Sequence, residues 1–145
     1  MALIMAATDG SDGAARAVDH AADLARRTGA GLLIVNVIGG YGLPEEVFRR
    51  FTQSQTAWLQ ELLQAHSAEL LKAARDRAIK AGASPVQIES RAGAVVATLA
   101  DIADEQGADV IVVGKRGASG AAAMLLGSVA HRLVNVARRP VTVVP

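Results

Sequence analysis

The sequence predicts an α/β protein: a doubly wound, three-layer αβα domain around a five-stranded parallel sheet. Three observations predict it. Short β-branched apolar runs alternate with longer segments of helical period, as in successive βαβ units. Most of these runs are apolar on both faces, as strands covered by helices on each side must be. Alanine occurs 30 times in 145 residues while aromatics make up 3%, so the core is built from small aliphatic side chains that let helices approach a sheet closely.

The first strand is Leu3 to Ala7, followed by a helical pattern from Ala14 to Thr28 with Ala17, Val18, Ala21, Leu24 and Ala25 on one face. Gly29 stops that helix, and Asp12 is its expected N-cap. Leu32 to Ile38 is the second strand. The stretch from Gly39 to Phe51, with Gly39, Gly40, Gly42 and Pro44, reads as a loop over one end of the sheet with a short helix near Glu45 to Arg50. Thr52 to Lys80 is a long helix with Leu59, Leu62, Leu63, Leu70 and Ala74 on one side, ending near Gly82. Val86 to Ser90 alternates in polarity and is expected at a sheet edge. A helix from Ala94 to Gln106 ends at Gly107. The fourth strand is Asp109 to Val113, the last helix Ser128 to Ala137, and the fifth strand, Val141 to Val144, follows Pro140 as an edge strand would.

Length suits one domain, residues 1–145. Formal net charge is +1, from 15 Lys and Arg against 14 Asp and Glu, and neither a nucleic-acid footprint nor an aromatic stacking platform is visible. Cysteine is absent, which excludes disulfides, thiol catalysis and Cys-based metal sites. His20, His66 and His131 lack ligand spacing. No apolar run reaches the roughly 18 to 20 residues of a membrane span. Met1 to Thr8 is short and apolar, and reads as a strand rather than a signal peptide. A soluble cytoplasmic protein is expected.

In open α/β sheets, ligands bind beyond the carboxyl ends of the strands, where the strand order reverses. Thr8-Asp9-Gly10-Ser11-Asp12 follows the first strand. Gly114-Lys115-Arg116-Gly117-Ala118-Ser119-Gly120 follows the fourth, and Gly127-Ser128 opens the last helix. Glycine lets backbone approach a ligand closely. A helix start offers unpaired N–H groups and partial positive charge, suited to phosphate. Lys115 and Arg116 add two cations. The same residues also fit ordinary turns and an ordinary Ser128 N-cap. Asp9 suits a nucleoside hydrogen bond, a metal ligand, a base or an Asx-turn. Neither a Walker A loop nor a dinucleotide glycine fingerprint is present.

These segments resemble the universal stress protein family. Ile4-Met5-Ala6-Ala7-Thr8-Asp9-Gly10-Ser11 looks like its opening strand, and Gly114-x2-Gly117-x9-Gly127-Ser128 matches the glycine pattern of its ATP-binding branch. Arg139-Pro140-Val141-Thr142-Val143-Val144 resembles its closing strand. The resemblance implies strand order 3-2-1-4-5, with the reversal between Asp9 and Gly114. It implies ATP, with ADP, AMP and an accompanying magnesium left open. Asp9 and the Val37 backbone would hold the adenine, with Ala7 and Thr8 lining that end. Val113, Gly114 and Gly117, flanked by Lys115 and Arg116, would meet ribose and phosphates, and Gly127, Ser128, Val129 and Ala130 would bind phosphates at the helix start. Ala130 stands where relatives often carry a hydroxyl residue, and His131 where they often carry an acidic one. A homodimer through the edge strand 141–144 is expected. The implied role is a regulatory nucleotide-binding module. Alternatives are a slow ATPase, self-modifying at Ser119 or Ser128, and a structural dimer with no nucleotide. A response-regulator-like phospho-acceptor is disfavoured, because Ser90-Arg91-Ala92-Gly93 offers no aspartate after the third strand.

Overall fold

The computed structural model of the chain describes residues 1–39, 45–116 and 127–145. Among these, β1 (Leu3–Ala7), α1 (Asp12–Thr28), β2 (Gly31–Ile38), the short α2 (Glu45–Phe48), α3 (Gln53–Lys80), β3 (Val86–Ala92), α4 (Val95–Gln106), β4 (Val110–Gly114), α5 (Ser128–Val136) and β5 (Val141–Val144) follow one another. All pairings are parallel, in the order β3-β2-β1-β4-β5. The α/β expectation holds, with β3 and β5 at the edges.

Strand side chains alternate between two cores because successive Cβ atoms point to opposite faces. Ile4, Ala6, Val110 and Val112 pack with Ala17, Val18, Ala21 of α1 and Leu71, Ala78 of α3. Met5, Ile111 and Val113 pack with Leu99, Ile102 of α4 and Ala130, Leu133 of α5. Both faces are buried at β1, β2 and β4, which explains their continuous apolar runs. Each fully buried Ile or Leu stabilises the fold by about 1.5–3 kcal/mol relative to exposure. No described helix is long and apolar enough to cross a membrane.

The N-cap of α1 is Ser11, whose hydroxyl accepts from the Ala14 N–H at 3.2 Å. Asp12, the expected cap, is instead the first helical residue, where its charge complements the helix dipole. Gly29 closes the helix with φ of +75°. Thr52 and Gln55 form a reciprocal capping box at the start of α3. This helix spans about 42 Å at 1.5 Å per residue, far more than the sheet can cover. Its buried residues, Ser67, Leu71 and Ala78, all lie in its second half. Leu62, expected on the inward stripe, is accordingly 47% exposed, beside Trp58 at 63%. β3 continues two residues past its expected end.

Asp109 ties the first strand to the fourth. Its Oδ2 accepts from the Ala2 and Leu3 N–H groups at 2.7 and 3.0 Å. Those bonds, that of Leu3 first, hold its carboxyl below the ordinary carboxylate range. A carboxyl that titrates lower in the folded chain leaves the unfolded chain binding more protons, so stability is full above the ordinary value and is lost as pH falls through the folded one. Replacing Asp109→Asn is therefore expected to shrink the drop in urea midpoint between about pH 5 and pH 3, followed by circular dichroism. An unchanged acid limb would show that the bonds contribute no pH dependence.

Candidate functional site

Strand order reverses at β1. The chain leaves β1 towards β2 through α1, and leaves β4 towards β5 through α5, so the two exits diverge and open a crevice at the carboxyl ends. Register pairing between β1 and β4 runs from Ile4↔Val110 to Ala6↔Val112 and stops there.

Beyond β1 the backbone is held by a sequence of local bonds. The Thr8 N–H donates to the Val35 carbonyl at 2.9 Å. The Thr8 hydroxyl accepts from the Gly10 N–H at 3.2 Å, and Asp9 Oδ1 accepts from the Ser11 N–H at 2.9 Å. This is the Asx-turn reading of Asp9, and it leaves the residue exposed at the sheet's mouth. Gly10 sits at φ +82°, a conformation glycine adopts without a side-chain clash.

Beyond β4, α1 and the departing chain approach closely. A Cβ on Gly114 would stand 2.8 Å from the Gly13 backbone, and one on Gly13 would stand 2.4 Å from the Arg116 carbonyl oxygen. Both positions are closed to any side chain unless backbone moves. The Lys115 N–H donates to the Val144 carbonyl, and the Gly127 N–H to the Lys115 carbonyl, each at 2.7 Å. Residues 114–116 thus join the start of α1, the end of β5 and the start of α5.

The N-cap of α5 is Gly127, not Ser128. Ser128 and Val129 are exposed and Ala130 is buried, and no side chain caps this helix start. The Gly127 N–H is already taken by Lys115, so the donors open to a ligand begin at Ser128. Val113 is 3% exposed with its side chain in the core, which leaves its backbone at the strand end. Ala7, Val37, Lys115 and Arg116 are half-buried, and Lys115 and Arg116 pair with no carboxylate among the described residues. His131 is exposed, one turn into α5. Gly117 and Ser119 lie outside the described residues.

The structure therefore brings Ala7, Thr8, Asp9, Gly114, Lys115, Arg116 and the Gly127–Ala130 turn to one end of the sheet, with Val37 at the same end on β2. No group of three or more His, Asp or Glu side chains converges as a metal site among the described residues. A shallow groove along the β3 edge, between Arg75, Gln87 and Gln106, shares no residue with this cluster. Sequence reading missed Gly13, which seats the start of α1 against the β4 exit, and the parts that Leu70, Asn36, Ser67 and Ser90 take behind the Asp9 turn. The one available signal was a lone polar residue, Asn36, inside the apolar run Leu32 to Ile38.

The sequence profile of the Universal stress protein family matches residues 2–145. The universal stress protein Rv1636 of Mycobacterium tuberculosis is 37% identical over 145 residues, covering 94% of this chain and 88% of that protein. A universal stress protein solved in complex with cAMP superposes with a TM-score of 0.70 at 31% identity, covering 99% of this chain and 96% of that one. The universal stress protein from Archaeoglobus fulgidus, solved in complex with dAMP, gives 0.64 at 25% identity, covering 100% and 98%.

The Gly13 contact has a measurable cost attached. Gly13→Ala is expected to destabilise the fold by about 1–3 kcal/mol, as overpacking against unyielding backbone does. Urea denaturation checks it. A variant as stable as the parent would mean that the β4 exit yields freely.

Proposed function

Because this chain belongs to the universal stress protein family, we propose that it is a regulatory module that binds an adenine nucleotide, ATP in the first place, at the carboxyl end of its sheet. The observation that carries this reading is the convergence of the Asp9 turn, the Gly114–Arg116 exit and the start of α5 at the point of strand reversal. Asp9 and the Val37 backbone receive the adenine end, beside Ala7 and Thr8. Phosphates lie over Gly114 and Gly117 and against the Ser128, Val129 and Ala130 turn, where helix N–H groups and the Lys115 and Arg116 cations offset their charge. The lack of any side chain at Gly127 leaves the backbone there open to close approach. The cAMP and dAMP bound by two solved universal stress proteins support an adenine nucleotide as the ligand class. A magnesium ion accompanying the phosphates would be held through their oxygens, for which the described residues offer no cluster of carboxylates.

Calorimetry with ATP tests the reading. Binding is expected for the wild type, and at least roughly tenfold weaker binding, about 1.4 kcal/mol, for Gly117→Val and for Asp9→Ala. No heat from the wild type would sink it.

We further propose a homodimer through β5. Its four residues are half-buried, its outer edge pairs with no described strand, and α5 beside it exposes Val134 and Val136 at 45% and 51%. An unpaired edge flanked by apolar residues favours pairing with a second copy. Sedimentation at micromolar concentration should give twice the monomer mass; a single monomeric species would contradict the dimer.

A further inference from the structure

A continuous chain of polar groups runs beneath the end of β1. The Asn36 amide nitrogen donates to the Thr8 carbonyl at 2.7 Å, and the Ser67 hydroxyl donates to Asn36 Oδ1 at 2.6 Å. The Ser67 and Ser90 hydroxyls lie 2.8 Å apart. Asn36 is 8% exposed and Ser67 is fully buried. Every direction in this chain is determined. A backbone carbonyl only accepts, so the Asn36 nitrogen must face Thr8 and its oxygen must face Ser67. That oxygen also only accepts, so Ser67 uses its single hydrogen there. Ser90 must then donate to Ser67.

The chain links four elements that are distant in sequence and ends on one backbone atom. That atom matters because the peptide is planar: fixing the Thr8 carbonyl fixes the Asp9 N–H and the start of the Asp9 residue. α3 reaches the same turn a second time. Leu70, one turn beyond Ser67, packs onto Gly10, where an added Cβ would stand 2.5 Å from Leu70 Cδ2. The helix therefore holds the chain on both sides of Asp9, at Thr8 and at Gly10.

We infer that Asn36 and Ser67 are positioning residues for the base-binding end of the site: they aim the Asp9 carboxylate through the Thr8 carbonyl, and they make α3 the element that sets its direction. The inference rests on the reading that Asp9 meets the adenine. Ser67 touches no ligand and acts through Asn36. A merely space-filling network would affect stability alone, whereas an aiming network affects one end of the ligand more than the other.

Ser67→Ala and Ser90→Ala separate these roles. The first cuts the chain next to Asn36; the second leaves the Ser67 to Asn36 bond in place. Each variant is titrated with ATP and with inorganic tripolyphosphate, and amide hydrogen exchange is read at Gly10 and Ser11 without ligand. Ser67→Ala is expected to weaken ATP binding roughly five- to tenfold, the effect of one buried hydrogen bond left unmade, and to leave tripolyphosphate binding unchanged. Exchange should quicken at Gly10 and Ser11 ahead of the sheet. Ser90→Ala should give a smaller change of the same kind. Equal losses for ATP and tripolyphosphate, or exchange that is unchanged at these two amides or raised uniformly across β1 and β2, would overturn the inference. If the wild type binds no nucleotide, the reading of the site fails, while the exchange at Gly10 and Ser11 still decides whether α3 holds the turn. Should Ser67→Ala not fold, Ser67→Cys keeps the volume with a weaker donor, and the same two readouts decide.

Discussion

The close approach of Gly13 to the backbone of Gly114 and Arg116 is the contact on which the rest of this molecule depends. A sheet that reverses its strand order must send one chain out of β1 and another out of β4 in opposite directions. The first turn of α1 has to sit against the second exit. With a Cβ on either glycine the helix would be pushed outward, and the Ala14, Ala17, Ala21 and Ala25 stripe would lose its seat on the sheet. Close packing is what makes an alanine-rich core stable, because small side chains gain dispersion contacts only at short range. The glycine pair and the alanine content are two aspects of one constraint.

Much of this was legible from the residues. Parallel strands buried on both faces read as unbroken apolar runs, and glycines at Gly29 and Gly107 mark helix ends that the left-handed conformation then occupies. What escaped was whatever depends on distant partners. Ser11 and Asp12 are both good caps on paper; the choice follows from where the β1 exit turns, with Asp9 already bonded to the Ser11 N–H. Leu62 fits the helical stripe of α3, but period does not reveal where the sheet beneath ends. Asn36 reads as a blemish in a strand until Ser67, 31 residues later, arrives opposite it. At the site, the position of Asp9 and of the β4 exit was legible because strand ends are. The cap of α5 was not, because glycine and serine both serve there.

Charge follows the same division between scaffold and site. Arg77 pairs with Asp19, Arg91 with Glu89 and Glu105, and Arg138 and Arg139 with Asp104. These pairs lie on helix flanks and strand edges, they are partly to largely exposed, and exposed pairs contribute little each. The near-neutral total therefore conceals a local asymmetry. Lys115 and Arg116 stand half-buried at the strand ends, beside a helix start whose own partial charge has the same sign. Like charges gathered with no ion pair to a carboxylate among the described residues raise the local potential, and an anion is what lowers it.

The two faces of the sheet then take different parts in the site. α1 and α3 pack on one face and α4 and α5 on the other. The Asp9 turn is held by α3 through Asn36 and Leu70, whereas the helix start that suits phosphate belongs to α5. A nucleotide laid across the strand ends in the proposed way bridges the two helix layers. Its base end reports on α3 and its phosphate end on α5. The first half of α3 carries Trp58 and Leu62 largely exposed, so the Asp9 turn is tied to a helix whose far end presents apolar side chains to solvent. A ligand that fixes the Asp9 turn lowers the freedom of that helix as well, since the bonds that transmit position in one direction transmit it in the other.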